Sequence, residues 1–257
     1  MASPDHVRIL GVPVEDHTRA AALDLIESLI RAGARTHVLY IANAHTLNLA
    51  HDDPSYRDVL CRADHVFGDG SGVAIAARLR GVRLKANLNG TDLMPAMLRG
   101  LAGRGYRYFL LGSSEEVVNR AAAATRRDFP GWELVGHRPG YLDEAASILV
   151  CAAINEARPD VLMVGMGNPA QERWIHDHRH LLNVPVCVGV GGLFDRWAGD
   201  HDRAPRWMRR AGLEWVHRMY AQPQTRRRYL VGNPKFLWRV LRARGVDRRQ
   251  LTLPRRA

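Results

Sequence analysis

The sequence predicts an α/β protein: a doubly wound, mostly parallel sheet flanked by helices, begun by a β-hairpin and ended by a basic helical appendage. Three observations carry this. Short apolar runs bounded by Gly or Pro alternate with helical segments of roughly ten to fifteen residues, the pattern of βαβ units. Before the first helix, "VRILGVPVED" folds back on itself as a hairpin. From Arg203 to the end, 16 Lys and Arg face 2 Asp and Glu, whereas the preceding 202 residues hold 21 basic and 24 acidic side chains.

The elements follow in order. "HTRAAALDLIESLIRAG" has helical periodicity and stops at Gly33, and "THVLYIAN" is a β-rich run ending at Asn43. "DPSYRDVLCRA" opens with an Asp-Pro helix signal, "HVFGD" is a short strand, and "GVAIAARLRG" and "TDLMPAMLRGLAGRG" are helices. "RYFLLGS" is a strand and "SEEVVNRAAAATRRDF" a helix; strand "WELVG" and helix "DEAASILVCAAINEA" follow. Strand "DVLMVGM", helix "PAQERWIHDHRHLL" and strand "PVCVGVGG" complete the series. These elements form one domain over residues 1–202. In the appendage, 203–257, Trp207, Trp215, Leu213, Met219, Tyr229 and Trp238 recur among arginines at roughly helical spacing, as in amphipathic helices that dock on the domain or on a membrane surface.

Composition limits the function classes. Hydrophobic residues make up 46% of the chain, which excludes a disordered protein. Runs such as "VLMVGM" are too short to cross a bilayer, and "MASPDHVRIL" lacks the apolar core of a secretory signal. Cys61, Cys151 and Cys187 are widely spaced in apolar segments, so reduced, buried thiols in a cytosolic protein are expected. The net charge of +11 resides wholly in the appendage and points to an anionic partner there: substrate phosphates, acidic lipid or nucleic acid.

Polar residues collect where strands end. In "VFGDGSGVAIAARLRG", Asp69 stands on a bare turn among three glycines within five residues, Gly68, Gly70 and Gly72. It either caps the next helix or is displayed at the strand's C-terminal end, where open sheets bind ligands. Asn43 follows "VLYIA", Gln171 follows "VLMVGMG", and Asp195 follows "VGVGGLF", so four segments can converge on one cleft. "VGMGNPAQERW" matches the loose Gly-x-Gly-x-x-Ala dinucleotide fingerprint, but no acidic residue ends the next strand to hold a ribose. A phosphate or sugar read by Gln171 suits it better than a nicotinamide cofactor. "HDHRH" at 176–180 has no third ligand and reads as a polar helix face, and "DHD" at 200–202 as a loop or cap.

"NAHTLNLA", "DGSGVAIAARLRG", "NGTDL", "FLLG", "GMGNPAQERWI", "GVGGLFD", "RAPRWMRRAGLEWVHRMY" and "RRYLVGNPKF", in this order, resemble the bacterial WecG/TagA/CpsF glycosyltransferases, typified by N-acetylmannosaminyltransferases of surface-polymer assembly. The resemblance runs from about Val7 to Phe236 and implies a Rossmann-like core whose site is completed by the appendage. It implies an inverting, metal-independent enzyme without cofactor, on the cytoplasmic face of the plasma membrane. Such an enzyme moves a sugar from a UDP-sugar to a polyprenyl-diphosphate-linked saccharide.

By the same resemblance Asp69 is the catalytic base. Asn43, Asn87, Tyr141, Gln171, Asp195, Arg218 and Arg228 contact substrate. The expected partners are the UDP-sugar, the lipid-linked acceptor and an acidic membrane surface, and a homo-oligomer contact could cover the same apolar surface. Nucleic acid, the rival partner for the basic tail, is not expected, because it leaves the strand-end residues without a role. Three positions depart from the family pattern. Ile41 stands where Thr is frequent, Asn87 where Arg is usual, and Thr225 where the appendage has an arginine. They leave the donor sugar open.

Overall fold

The computed structural model describes residues 6–33, 35–200, positions 205, 208, 216, 219, 220 and 226, and residues 228–250. Strands β1 (His6–Ile9) and β2 (Val12–Glu15) form the antiparallel hairpin. Strands β3 (His37–Ala42), β4 (His65–Gly68), β5 (Arg107–Gly112), β6 (Glu133–Arg138), β7 (Val161–Gly165) and β8 (Val186–Gly189) are parallel to their neighbours. The sheet runs β1-β2-β4-β3-β8-β7-β5-β6, with β2 parallel to β4.

Side-chain alternation divides the core into two layers. On one face Val38, Tyr40 and Ala42 of β3 meet α2 (Ala44–Asp52), α3 (Pro54–Cys61), α4 (Gly70–Leu79), α7 (Glu144–Ala157) and α8 (Ala170–His178). On the other, Leu39 and Ile41 meet α1 (Arg19–Ala32), α5 (Gly90–Gly100), α6 (Glu115–Asp128) and α9 (Leu193–Trp197). Covering both faces is why these strands read as continuous apolar runs and not as alternating ones.

Helix boundaries follow local chemistry. Thr18 accepts from the Ala21 N–H to start α1, and Gly33, at φ 56°, ends it in the left-handed region. Asp53 caps α3 ahead of Pro54, Ser114 caps α6, and Asp143 caps α7. Beyond α8, Arg179–Leu181 form a 3₁₀ turn, so His180 lies past the end of the α-helix. His178 is buried against Trp174 with ring centroids 4.9 Å apart, and Asp200 accepts from Arg120.

One thiol departs from expectation. Cys151 and Cys187 are buried, but Cys61 is exposed. Helix α3 buries Tyr56, Val59 and Leu60, the stripe one turn allows, and the next residue falls on the outer side.

A π-helical turn, Arg228–Gly232, leads into the C-terminal helix Asn233–Gln250, which lies across α2 and α4. Phe236 is fully buried there, close to Gly72 and Ala44. Arg239 is buried too: it donates to the Asn48 carbonyl and side chain and pairs with Asp52. Asn48 in return donates to the Gly232 carbonyl at 2.7 Å. The chain's last described helix is thereby fastened to the two helices that start at Asn43 and Asp69.

Candidate active site

The strands' C-terminal ends form one edge of the sheet. From β3 the chain turns outward through α2 and α3 to β4, whereas β8 leads to α9 on the far side against α6. The two central strands therefore send their connections apart, which opens a crevice above them.

The turn after β4 answers the question Asp69 raises. Asp69 occupies the N-cap position of α4, at φ −119° and ψ 129°, yet its side chain makes no capping hydrogen bond. The capping acceptor is Asn87, whose Oδ1 takes the Gly70 N–H at 2.8 Å. Gly70 itself has φ +88°, a conformation that costs a residue with Cβ but not glycine. Two backbone bonds fix the turn: Asp69 N–H to the Ala42 carbonyl at 2.9 Å, and Leu88 N–H to the Gly68 carbonyl at 3.1 Å. The half-buried Asp69 carboxylate thus faces a hollow of about 110 Å³ shared with Asn43, Asn168 and Gln171.

An Asn87→Ala variant loses the bond that holds Gly70, worth about 1 kcal/mol or about fivefold in rate if it acts on catalysis. The expected result is a kcat lowered several-fold with a melting temperature lower by no more than about 2–4 °C. Steady-state kinetics showing an unchanged kcat would mean that the turn holds itself.

Asn43 is both cap and wall. Its Oδ1 accepts from the His45 and Thr46 N–H groups, starting α2, while the residue lines the hollow. Gln171 is buried; its Oε1 accepts from Gly191 N–H at 2.9 Å and its Nε2 donates to Glu172 at 2.7 Å. Gln171 also lines the hollow. Gly189 lies beneath this side chain, and a Cβ there would stand 2.9 Å from the Gln171 amide nitrogen and displace the amide. Ile41 adds an apolar wall where the family frequently has Thr.

A second hollow of about 250 Å³ adjoins the first at Gly191 and Gly192 and holds Tyr141, Asp195, Ser113 and Gly167. Asp195 lies in the first turn of α9, 3.5 Å from the Ser113 hydroxyl. Tyr141 is 86% exposed at the rim, where a planar ligand could stack on its ring. Asn87 lies behind the Asp69 turn, in a separate recess with Lys85 and Gly70. Asn43, Asp69 and Gln171 are therefore together, Tyr141 and Asp195 are next door, and Asn87 reaches the site only through the backbone it holds. Arg218 lies outside the described residues, and Arg228 is described only as backbone of the π-helical turn.

Sequence reasoning passed over Asn89, Thr91, Asn168 and Glu172. Asn89 caps α5 by accepting from Asp92 N–H and lines the hollow with Thr91. The spacing Asn89-x-x-Asp92 is a capping-box signal that could have singled it out. Glu172 is fully buried, and burial pushes its carboxyl up to about 7 against hydrogen bonds from Gln171, Tyr56 and Asn168. Among the described residues no group of three or more His, Cys, Asp or Glu is placed to hold a metal ion.

The profile of the Glycosyl transferase WecG/TagA/CpsF family matches residues 7–250. A Bacillus subtilis protein named N-acetylglucosaminyldiphosphoundecaprenol N-acetyl-beta-D-mannosaminyltransferase is 33% identical over 234 residues, 91% of this chain and 90% of its own. Proteins of the same name from Bacillus spizizenii and Staphylococcus aureus are 36% identical over 193 residues and 31% over 240. The first alignment covers 75% of this chain and 74% of the relative, the second 93% of each. A family profile spanning nearly the whole chain and relatives above 30% identity lead to one conclusion: this chain is a glycosyltransferase belonging to the WecG/TagA/CpsF family.

Proposed function

We propose that the protein transfers a sugar, N-acetylmannosamine or a related hexose, from a UDP-sugar to a polyprenyl-diphosphate-linked saccharide, with inversion, in surface-polysaccharide assembly. The acceptor class is taken from the relatives' names, which specify an N-acetylglucosaminyl-diphosphoundecaprenol. The observation that carries the chemistry is the Asp69 carboxylate, not used as a helix cap, facing the hollow that Asn43 and Gln171 also line.

In this reading Asp69 takes the proton of the acceptor hydroxyl as that oxygen bonds to the anomeric carbon, while the bond to the UDP oxygen breaks on the opposite side. A donor with an α-linked sugar then yields a β product, the anomer in the relatives' names. Gln171 lines the first hollow, and the second hollow receives the nucleotide, with Tyr141 at its rim. Negative charge growing on the leaving diphosphate is met by the α8 N-terminus and by arginines of the C-terminal segment, Arg218 and Arg228 among them, in place of a metal.

The membrane side of the reading rests on the C-terminal helix. Trp238 and Leu241 are exposed there beside Arg242, whose guanidinium lies 5.2 Å from the Trp238 ring. No helix among the described residues is long and apolar enough to cross a membrane. An amphipathic contact with acidic lipid on the cytoplasmic face suits this surface.

The test is a transfer assay with a panel of UDP-sugars and a soluble N-acetylglucosaminyl-diphospholipid, with the product's anomeric configuration read by NMR. A β-linked disaccharide is expected. Retention of configuration, or no transfer from any UDP-sugar that binds, would overturn the reading.

A further inference from the structure

Glu172 has no part in the chemistry above, yet the site is built around it. Its Oε1 accepts from Asn168 Nδ2 at 2.5 Å and from Gln171 Nε2 at 2.7 Å, and its Oε2 accepts from the Tyr56 hydroxyl at 3.0 Å. Its backbone carbonyl accepts from the Tyr40 hydroxyl at 2.9 Å. The side chain is fully buried, and among the described residues no Lys, Arg or His pairs with it. Arg173, next along α8, is engaged with Asp53 and Ser55 and lies over the outer ring of Tyr56.

The other ionisable groups packed around it do not titrate near neutrality. Burial raises Tyr56 of α3, Tyr40 of β3 and Cys187 of β8, beside Tyr40, further from ionisation. Glu172 is then a buried carboxylate compensated only by neutral donors, a costly arrangement for its charged form.

Two of those donors, Asn168 and Gln171, also line the hollow with Asp69. The carboxylate lies one hydrogen bond behind the wall that a ligand diphosphate would touch. Two anions on either side of the same amides compete for their N–H groups and repel through a poorly screened interior.

We propose that Glu172 is a positioning residue that couples donor binding to proton uptake: the nucleoside diphosphate part of the donor binds best when this carboxyl is protonated and donates to Tyr56. The inference rests on the reading that the crevice takes a UDP-sugar. On protonation Oε1 still accepts from Asn168 and Gln171, and the Tyr56 hydroxyl, which donates to the charged carboxylate, accepts from Oε2–H instead. The proton comes from solvent. Burial has already brought the free group up to about 7, so binding has only to raise it further.

The sign follows from linkage. A ligand that raises the pKa binds tightest below the free value, and affinity falls by at most about tenfold per pH unit as pH rises between the free and bound values.

The experiment is calorimetric titration with UDP-N-acetylmannosamine, whose diphosphate diester does not titrate between pH 6 and 9, in two buffers of different ionisation enthalpy. Wild type should take up a fraction of a proton per donor at pH 7.5 and bind about tenfold more weakly at pH 8.5 than at pH 6.5. Glu172→Gln keeps an Oε1 acceptor and offers an N–H to Tyr56, so its affinity should be independent of pH with no proton uptake. Tyr56→Phe removes a hydrogen bond from both forms, the stronger one from the charged form, so it should raise the free value and shift the wild-type fall in affinity to higher pH, a readout available even if Glu172→Gln does not fold. Donor binding in wild type with no proton uptake, or a Glu172→Gln profile like wild type, overturns this inference alone. No binding of any UDP-sugar at any pH overturns the functional reading beneath it.

Discussion

Asp69→Asn is expected to keep the fold and the affinity for UDP while kcat falls by about 10²- to 10⁴-fold, the usual contribution of a positioned general base. The structure makes this a clean substitution. The side chain makes no capping bond to α4, so exchanging carboxylate for amide does not remove a helix start. The turn is held by Asn87 through Gly70 and by the Asp69 and Leu88 N–H groups, all of which survive the change. Asparagine has the same shape and can still hydrogen-bond the acceptor hydroxyl, but it cannot accept the proton. Transfer kinetics with a saturating donor, beside UDP binding by calorimetry, make the measurement. A kcat within threefold of wild type would remove Asp69 from the mechanism.

Phe236→Ala is expected to release the C-terminal helix. The ring is fully buried beside Gly72 and Ala44, and truncating a buried Phe costs about 3–5 kcal/mol where the site cannot collapse. The α/β body need not carry that loss, because the helix can come away by itself. Amide exchange along 233–240 should accelerate by about 10²-fold or more, with a smaller rise along 44–52 and little change in β3 or β7.

Arg239 and Lys235 should not hold the helix in place of the ring. Their bonds to Asn48 and Asp52 lie along the second half of α2, and Asp52 is half exposed. Since α2 and α4 begin at Asn43 and Asp69, kcat should fall in the same variant. Unchanged exchange in the helix would show that the charged contacts suffice; fast exchange with full activity would show that the site does not need the helix seat.

Much of this was legible in the sequence, and the exceptions have physical causes. The strands and most helices read clearly because apolar runs, caps and glycine stops are local. Helix α2 did not read as a helix. It buries Ala44, Thr46, Leu47, Asn48 and Ala50 between neighbours on several sides, so its pattern lacks the single stripe that marks a surface helix. Cys61 follows apolar neighbours but falls on the outer side of α3, a matter of rotation rather than composition. Glu172 reads in sequence as an ordinary charged helix residue, and only Tyr40 and Tyr56, more than a hundred positions earlier, reveal its burial.

What the sequence by itself determined is the architecture, the family, and which strand ends carry polar side chains, since each depends on residues near one another in the chain. What the tertiary structure decided is the work those side chains are free to do. Asp69 could have capped its helix, as aspartates in that position commonly do. It does not, and the first N–H of that helix, Gly70, is taken by Asn87 from seventeen residues further along. Gln171 and Asn168 read as neighbours on a loop, yet their amides are oriented by a carboxylate sealed beneath them. A hydrogen-bond acceptor is satisfied by whichever donor the fold brings within 3 Å, and proximity across the sheet edge is not written in local sequence.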